Sequence, residues 1–489
     1  MPATPQFSKK PARVVFLQRG IYESLGIMHL SSFLKKNGHQ VLLLIESLEG
    51  DMFGRLKDFK PDLACFGTIT GSHLWAYETA RKIKAEFPGV LTVMGGPHAT
   101  FFPEAALHKG FDALCLGEGE EALMDLAGAI HDKEKIKTLR NIWLEADGRV
   151  FRNEVRPLAE NLDSLPFPDR ELYYRYPELR KAGRKTFLTT RGCPYNCSFC
   201  FNHKFRELYQ GKGPEIRRRS AGNIISEILE VKEKYGLDSV FIQDDTFILD
   251  KPWLLDFLEK YKERVHLPFT CLVRADLTDE EIVRALAAAQ CAVAQFGIES
   301  GVERLRNKVL RKGLTDEQIV KAAALYKKYG IKFKTYNMLG LPGENLEDAF
   351  KTVELNAGIK TDLPWASVLL PYPGTDIAVS MRERGLLPDG YSVDDVGGSF
   401  FGGKAGSRRE KDMLNLQRLF FWAVRFPRLF PLIKKLIKLP PNYVFDGLYY
   451  AAQFYVYKVS ENLDWATSFK MGFNFVSLNL KKRAGRAGT

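Results

Sequence analysis

The sequence predicts an α/β protein with two consecutive α/β domains and a helical C-terminal region. Short β-branched runs alternate with amphipathic helical patterns between residues 10 and 150. A second series of the same kind begins near residue 186, and the alternation ends near residue 400. Continuous apolar strands separated by helices indicate parallel sheets that helices cover on both faces.

The first domain, residues 10–150, is predicted to be a doubly wound, Rossmann-like sheet. The amphipathic stretch after its first strand is followed by Gly38, a residue well suited to end a helix. Sheets of this kind bind ligands at the carboxyl ends of their strands. The apolar runs that we interpret as strands occupy residues 13–18, 40–45, 62–68, 90–96 and 112–120.

Three strand ends of this sheet carry loops of small residues: GTITGSH (67–73), GGPHAT (95–100) and GEGE (117–120). None of them fits GxGxxG, so a dinucleotide fingerprint is absent. Each loop alone is explained by a tight turn, but three in one sheet favour a bulky ligand that the backbone approaches closely. The candidate ligand-binding residues are Thr68, Gly71, Ser72, Gly95, Gly96, His98, Gly117 and Glu118.

The second domain, residues 186–385, follows a predicted linker, residues 151–185, that is rich in proline and charge. A helix is predicted over residues 221–236, with Ser220 as its N-cap and Gly236 as its stop. Six βα units predict a partial (βα)6 barrel of TIM type, short of the usual eight. The predicted strands are residues 186–192, 239–244, 269–275, 292–300, 332–339 and 366–373.

The C-terminal region, residues 386–489, is helical, aromatic and basic in pattern. It suits either a helical lid over the barrel or a surface that docks on a membrane. Four prolines divide it into short pieces, and no apolar run in the chain approaches the ~20 residues needed to span a bilayer. Those prolines are Pro427, Pro431, Pro440 and Pro441.

Amino-acid composition and charge indicate the cellular compartment and the kinds of binding partner. The chain has 489 residues, a net charge of +12 and 7 cysteines, four of which are scattered in apolar surroundings. That cysteine usage, with no signal-peptide pattern at the start, predicts a cytoplasmic protein in a reducing compartment. The positive charge clusters in residues 217–220, in residues 481–486 and along the C-terminal helices, without a nucleic-acid-binding module. We therefore expect an anionic or lipid-like substrate, or loose membrane association, rather than nucleic acid.

Residues 191–203, RGCPYNCSFCFNH, place Cys193, Cys197 and Cys200 at spacings of four and three. Zinc would require a fourth ligand, which His203 could supply. An iron–sulfur cluster held by three thiolates would leave one iron open. The loop follows the first strand of a βα series, where active-site loops belong, and this position favours the cluster.

The spacing Cys193-Pro-Tyr-Asn-Cys197-Ser-Phe-Cys200 resembles the CxxxCxxC signature of radical S-adenosylmethionine (SAM) enzymes, including the aromatic Phe199 before the last cysteine. The resemblance implies a [4Fe-4S] cluster whose open iron binds the amino and carboxylate groups of SAM. One electron from the cluster would cleave SAM to a 5′-deoxyadenosyl radical, which abstracts hydrogen from a substrate.

The same resemblance implies SAM contacts at later strand ends of the barrel. Asp244 and Asp245 lie where this family positions the amino group of SAM. Arg274 would contact the carboxylate or the ribose, and Glu299 a hydroxyl or the amino group. Gly340 would lie beside the adenine. A helix N-cap for Asp245 and structural salt bridges for the other charged residues remain open alternatives.

The upstream sheet resembles that of the cobalamin-binding subclass, often called class B, and the resemblance covers residues 10–385. The chain lacks DxHxxG, whose histidine binds cobalt in other cobalamin proteins. His29 has Ile27 in place of the aspartate and Ser32 in place of the glycine. The missing motif leaves the lower ligand of cobalt open, and His98 is expected to line the pocket.

The resemblance implies a cobalamin-dependent radical SAM methylase that moves a methyl group from SAM, via methylcobalamin, to an unactivated carbon or to phosphorus. Non-methylating cyclisation or rearrangement is the alternative, and a non-catalytic cobalamin- or metal-binding regulatory protein is a third. An external one-electron reductant of flavodoxin or ferredoxin type is implied as a partner, with a small-molecule or lipid-like substrate. Residues 376–406 are expected to form part of the substrate pocket.

Overall fold

The computed structural model describes residues 10–396 and 410–460. Its N-terminal part is a seven-stranded sheet in the order β2-β1-β3-β4-β5-β6-β7. The strands from β1 to β5 are parallel to one another, which confirms the predicted doubly wound sheet. In chain order the strands are β1 (Arg13–Gln18), β2 (Gln40–Ile45), β3 (Leu63–Gly67), β4 (Leu91–Gly95), β5 (Ala113–Cys115), β6 (Ile142–Ala146) and β7 (Arg149–Arg152).

The antiparallel hairpin β6–β7 at the edge of this sheet was not predicted from the sequence. Its turn is made by Asp147 and Gly148, both with positive φ (53° and 70°). An Asp-Gly pair between two apolar runs is a strong hairpin signal, because both central positions of such a turn need positive φ. The Asp-Gly pair could therefore have been used to predict this hairpin from the sequence.

Helices cover both faces of the N-terminal sheet, and each face has its own buried apolar cluster. The predicted helix after β1 is present and begins at Ser24, whose hydroxyl accepts from the amide of Ile27. The helices are α1 (Leu25–Lys36), α2 (Met52–Phe59), α3 (His73–Glu86), α4 (Pro97–Phe101), α5 (Pro103–Ala106), α6 (Glu120–Gly128) and α7 (Lys133–Ile136).

The segment predicted as a linker contains two short helices, α8 (Arg170–Tyr174) and α9 (Pro177–Arg180). Several of its side chains, Arg170 and Tyr173 among them, are buried and contact both domains. The hydroxyl of Tyr173 donates to Gln18 Oε1 at 2.8 Å, and Arg170 Nη2 donates to Glu227 Oε1 at 2.9 Å. The segment therefore fixes the two sheets together and is not a free tether.

The second part of the chain is a six-stranded parallel sheet in the order β15-β14-β13-β12-β11-β8, as predicted for a partial barrel. The predicted strand over residues 186–192 is broken, and its second half pairs antiparallel with β10. The strands are β8 (Arg184–Phe187), β9 (Thr190–Arg191), β10 (Arg217–Arg218), β11 (Ser239–Ile242), β12 (Phe269–Leu272), β13 (Cys291–Glu299), β14 (Lys332–Leu339) and β15 (Leu363–Val368).

Barrel strands alternate between a side that packs on the surrounding helices and a side that faces the lumen. Ile242 of β11 and Cys271 of β12 belong to the buried cluster on the helix side. Ser220 caps α11 by accepting from the amide of Asn223, as predicted. The helices are α10 (Asn202–Leu208), α11 (Ala221–Tyr235), α12 (Lys251–Arg264), α13 (Glu280–Ala288), α14 (Asp316–Lys328), α15 (Leu346–Gly358) and α16 (Asp376–Glu383).

Three helices, α17 (Glu410–Arg425), α18 (Phe430–Leu436) and α19 (Tyr443–Ser460), follow the barrel. Helix α17 covers the edge strand β15 and shares a buried cluster with α15 and α18. The end of α19 reaches β12, where the hydroxyl of Thr270 donates to the carbonyl of Ser460 at 3.3 Å. Within residues 10–396 and 410–460, no helix has the length and apolarity to cross a bilayer.

Candidate cofactor site

The three clustered cysteines lie on one irregular loop between β9 and α10, at the carboxyl end of the barrel. Cys193 and Cys197 are buried, and Cys200 is half-buried. Burial raises the pKa of Cys193 and raises that of Cys200 to about 11. Three soft thiol ligands shielded from water fit an iron–sulfur cluster.

Arg206 on α10, which no sequence motif indicated, holds this loop. Its guanidinium donates to the carbonyl of Cys193 and, at 3.3 Å, to the carbonyl of Tyr195. On the other side of the loop, the amide of Ser198 donates to the carbonyl of Leu310 at 3.0 Å. These backbone contacts tie the loop to α10 on one side and to Leu310 on the other.

His203 does not join the cysteines. Its Nε2 lies 3.3 Å from Asp376 Oδ1, at the start of α16. Among the residues that the structure describes, no three His, Cys, Asp or Glu side chains come close enough together to hold one metal ion. The contacts of His203 therefore give no support to the Cys3His zinc alternative.

The lumen beside the cysteine loop contains a buried ion pair. Lys312 Nζ lies 2.8 Å from Glu299 Oε1, and the two side chains are 11% and 8% exposed. Burial lowers the pKa of Lys312, but the attraction of the Glu299 carboxylate outweighs it, so the pKa is raised overall. The ammonium is also 5.9 Å from the centroid of the Phe199 ring. No sequence motif indicated Lys312, because it follows the strand that bears Glu299 by a long irregular segment.

Arg274 packs directly on the cysteine loop. Its guanidinium carbon is 3.5 Å from the centroid of the Tyr195 ring. The same group forms an ion pair with Asp276 at 3.0 Å and donates to the carbonyl of Lys312 at 2.8 Å. The structural salt bridge that the sequence left open is therefore present, together with a stacking contact on the loop.

The paired aspartates after β11 point in opposite directions. Asp244 is fully buried and accepts from the amides of Thr189 and Thr190 at 2.7 and 3.2 Å. Burial raises its pKa. Asp244 lies two residues after Ile242, so it takes the helix side, and the expected contact with SAM is corrected.

Asp245 has the opposite parity and is exposed to the lumen, where Asn202 Nδ2 donates to its Oδ2 at 3.1 Å. It is not a helix cap, because Asp250 caps α12. Of the two aspartates, only Asp245 has a carboxylate placed to meet a ligand in the lumen.

Gly340 directly follows β14 and has a φ of +78°, a conformation that a side chain would strain. Its amide donates to Glu344 Oε2 at 2.5 Å, and the amide of Leu341 donates to the same oxygen at 3.0 Å. Burial raises the pKa of Glu344 to about 7. The carboxyl group thus shapes the turn beyond the strand.

Two of the three glycine loops of the N-terminal sheet form one continuous edge. The amide of Thr68 donates to the carbonyl of Gly95 at 2.9 Å, and a Cβ at Gly96 would lie 3.0 Å from the Thr68 backbone. Gly71 has a φ of +103°, and the Ser72 hydroxyl donates to the carbonyl of Ile69. The chain therefore requires Gly96 for this close approach.

Exposed apolar side chains lie along this edge. Ile69 and Leu74 are 53% and 52% exposed after β3, and Ile21 and Tyr22 are 41% and 45% exposed after β1. Four exposed apolar groups at the ligand-binding edge of a doubly wound sheet suit the face of a large, flat ligand.

His98 does not line the pocket, which corrects the expectation from the sequence. It is fully buried, with Nδ1 3.0 Å from Thr70 Oγ1 and Nε2 2.7 Å from the Tyr77 hydroxyl. Its ring stacks on His73 at 4.4 Å, and burial lowers its pKa to about 3. Both ring nitrogens are engaged, so His98 offers none to cobalt.

The third loop joins the two domains, and the ligand contacts expected of Gly117 and Glu118 stay a prediction. Glu118 Oε1 accepts from Arg191 Nη1 at 3.0 Å and from Arg217 Nη2 at 2.7 Å. A Cβ at Gly117 would overlap the hydroxyl of Tyr209. Because Arg191 begins the cysteine loop, GEGE holds that loop against the N-terminal sheet.

Further contacts join the carboxyl edge of the N-terminal sheet to the cysteine loop at the carboxyl end of the barrel. The ring of Phe101 on α4 stacks on Phe201, the residue after Cys200, at 4.5 Å. Asp394 Oδ1 lies 3.2 Å from His73 Nε2, so the segment after α16 crosses to the N-terminal sheet. Residues 397–406 of the expected substrate pocket lie outside the described residues. The carboxyl edge of the N-terminal sheet thus adjoins the cysteine loop.

Comparison with known proteins identifies both domains. Residues 187–355 match the family model described as the radical SAM superfamily, and residues 14–127 match the one described as the B12 binding domain. An uncharacterized methyltransferase from Pyrococcus horikoshii is 30% identical over 361 residues, covering 72% of this chain and 76% of the relative.

Two further relatives differ in their reactions. The cytidylyl-2-hydroxyethylphosphonate methyltransferase of Streptomyces wedmorensis is 27% identical, with 66% of this chain and 71% of the relative covered. The anaerobic magnesium-protoporphyrin IX monomethyl ester cyclase of Rubrivivax gelatinosus is 24% identical, with 73% and 66% covered.

The fold is shared with a solved structure, that of the radical SAM methyltransferase TsrM from Kitasatospora setae with cobalamin and a [4Fe-4S] cluster bound. The TM-score is 0.67 at 18% identity, and the match covers 93% of this chain and 100% of that one. At this identity the likeness shows the architecture alone.

Proposed function

The chain belongs to the cobalamin-binding branch of the radical SAM enzymes, and from that membership we propose that it transfers a methyl group from SAM to an unactivated carbon or to phosphorus. The observation that supports this most is the junction between the carboxyl edge of the N-terminal sheet and the cysteine loop of the barrel. Glu118 pairs with Arg191, and Phe101 stacks on Phe201, so the B12-binding edge meets the cysteine loop. When bound, the cluster supplies the electron that cleaves SAM, and cobalamin supplies the methyl carrier.

The residues of the cysteine loop fit a [4Fe-4S] cluster with one iron left for SAM. We propose Cys193, Cys197 and Cys200 as its three ligands, since His203 is turned to Asp376. Arg206 holds the loop through the carbonyls of Cys193 and Tyr195 and would help to keep the three thiols together.

We propose that the charged groups of the lumen orient SAM. The exposed carboxylate of Asp245 suits the ammonium group, and the Lys312 ammonium suits the carboxylate. Glu299 holds Lys312 in place, and Arg274 supports the loop through Tyr195. Phe199 and Gly340 remain proposed contacts for SAM, with Gly340 offering the adenine a surface without a side chain.

For cobalamin we propose the edge formed by loops 67–73 and 95–100. Thr68, Gly71, Ser72, Gly95 and Gly96 would present backbone to the ligand. The exposed Ile69 and Leu74 would cover an apolar face of it. Because both nitrogens of His98 are engaged, the site is proposed to bind cobalamin without histidine ligation by that residue.

Cyclisation or rearrangement with the same cofactors is the second candidate, favoured by the similarity to the protoporphyrin ester cyclase. Anaerobic turnover with methyl-deuterated SAM and a small-molecule extract as substrate pool separates the two. Label in a new product supports methylation, while 5′-deoxyadenosine with an unlabelled product supports cyclisation. Formation of neither leaves the non-catalytic alternative.

We also propose the partners and the domain limits. A one-electron donor of flavodoxin or ferredoxin type would reduce the cluster, and the substrate would be a small or lipid-like molecule. Domain limits of 10–150, 151–185, 186–385 and 386–489 are supported by the family matches, which fall inside the first and third ranges. Peripheral membrane contact through the C-terminal helices is proposed on their exposed side chains.

A further inference from the structure

The segment 425–445, RFPRLFPLIKKLIKLPPNYVF, combines exposed apolar groups with positive charge. It contains five cationic residues and no Asp or Glu. Several of its large apolar side chains are exposed to solvent by about half or more. They are Phe426 (49%), Leu429 (47%), Leu432 (53%), Leu439 (47%), Tyr443 (82%) and Val444 (68%). We call these six residues the apolar surface.

The apolar surface is not the inner face of α18. That inner face is formed by Phe430, Ile433 and Ile437, which are buried in the cluster shared with α15 and α17. Leu432 of α18 and Leu429, which directly precedes the helix, are instead exposed. A helix on the surface of a globular protein normally carries polar residues at its exposed positions. The outward leucines therefore serve no packing in the described chain.

Cations border the apolar surface. Lys438 pairs with Asp412 at 2.6 Å, and Lys434 lies 3.6 Å from Glu354. Arg425, Arg428 and Lys435 add further exposed positive charge. With no acid in the segment to oppose them, the surface complements an anionic plane that has an apolar interior beneath it.

We propose that residues 425–444 are a docking surface for an anionic lipid bilayer. Leu429, Leu432, Tyr443 and their neighbours would enter the headgroup region while Arg428 and Lys435 contact lipid phosphates. The prolines keep α18 to two turns, so it would lie in the plane of the membrane. The inference deepens the peripheral contact of the proposed function, and it fits a substrate drawn from the lipid phase.

The test is co-sedimentation of the full-length, cluster-loaded chain with vesicles. Vesicles of phosphatidylcholine alone are compared with vesicles of phosphatidylcholine mixed with phosphatidylglycerol. We expect binding to the anionic vesicles, and we expect Leu429→Gln/Leu432→Gln to weaken it about tenfold or more. The pair Arg428→Gln/Lys435→Gln should remove the preference for anionic lipid and its salt dependence.

Val320 on α14 provides the matched control, because it is 50% exposed and lies on another part of the molecule. Val320→Gln should leave vesicle binding unchanged. The proposal is overturned if the wild-type chain fails to bind anionic vesicles, or if Val320→Gln weakens binding as much as the leucine pair does. It is also overturned if the leucine pair instead converts a dimer to a monomer, since a second copy would then cover the surface. Methyl transfer is measured without vesicles, so a failure here leaves that proposal standing.

Discussion

Replacing Glu118 with glutamine should loosen the attachment of the cysteine loop to the N-terminal sheet. The wild-type carboxylate accepts from Arg191 and, with both oxygens, from Arg217. Glutamine keeps the size of the side chain but removes its charge. Two guanidinium groups are then left at the junction with less compensation.

The magnitude follows from burial. The Arg217 side chain is 1% exposed, that of Glu118 is 16% and that of Arg191 is 17%. Arg191 keeps a second ion pair with Glu120 at 2.6 Å, so the loss falls on Arg217. Removing one partner of a buried ion pair costs about 3 kcal/mol, because the remaining charge stays out of water without a counterion. At 1.4 kcal/mol per factor of ten, this loss favours local opening by roughly a hundredfold.

Hydrogen exchange followed by mass spectrometry measures that opening in a peptide covering residues 187–195. The control is Glu104→Gln, which removes an ion pair with Arg152 whose side chains are 65% and 48% exposed. We expect the control to change exchange by less than about fivefold, since exposed pairs contribute up to about 1 kcal/mol. Equal effects of the two substitutions on that peptide would refute the reasoning.

Three further predictions concern single residues. Asp244→Ala should destabilise the chain by about 3 kcal/mol in thermal unfolding, because two buried amides lose their acceptor. Asp245→Ala should instead weaken SAM binding about tenfold in equilibrium dialysis. It should leave the free energy of unfolding within about 0.5 kcal/mol of the wild-type value. Gly96→Ala should reduce the cobalamin absorbance that the chain retains after gel filtration, because the new Cβ would lie 3.0 Å from the backbone of Thr68. Gly148→Ala is the control: its Cβ would have no atom within 4 Å, and the cobalamin absorbance should be retained. Burial raises the pKa of Glu344 from 4.5 to about 7, so between these values the native chain holds a proton that the unfolded chain has released. The free energy of unfolding should therefore fall as pH rises through this window, and Glu344→Gln should make the fall in urea midpoint smaller. Parallel pH profiles of the urea midpoint for the wild type and Glu344→Gln would contradict this prediction.

The features that the sequence predicted are local in the chain. Strand–helix alternation and the spacing of Cys193, Cys197 and Cys200 each depend on neighbouring residues, so both domains were predictable. The opposite directions of the Asp244 and Asp245 side chains could also have been predicted, because side chains alternate along a strand and Ile242 is apolar. The expectation that both would contact SAM neglected this period.

The features that the sequence did not predict depend on distant residues. Glu118 meets Arg191 and Arg217 across separations of 73 and 99 residues, and nothing in GEGE distinguishes an ion pair from a ligand contact. Lys312 meets Glu299 at an irregular point of β13, where the register with β14 shifts between Gly297 and Glu299 and Glu299 has a φ of +66°. No alternation pattern indicates such a shift.

The most direct test of the central claim is one anaerobic incubation of the chain, loaded with iron, sulfide and cobalamin, with methyl-deuterated SAM and a one-electron reductant. We predict that 5′-deoxyadenosine forms and that the deuterated methyl group is recovered on the extracted cobalamin. Cys197→Ala should abolish 5′-deoxyadenosine, because a cluster ligand is lost. Stoichiometric zinc in the purified chain, with neither product formed, would contradict the account.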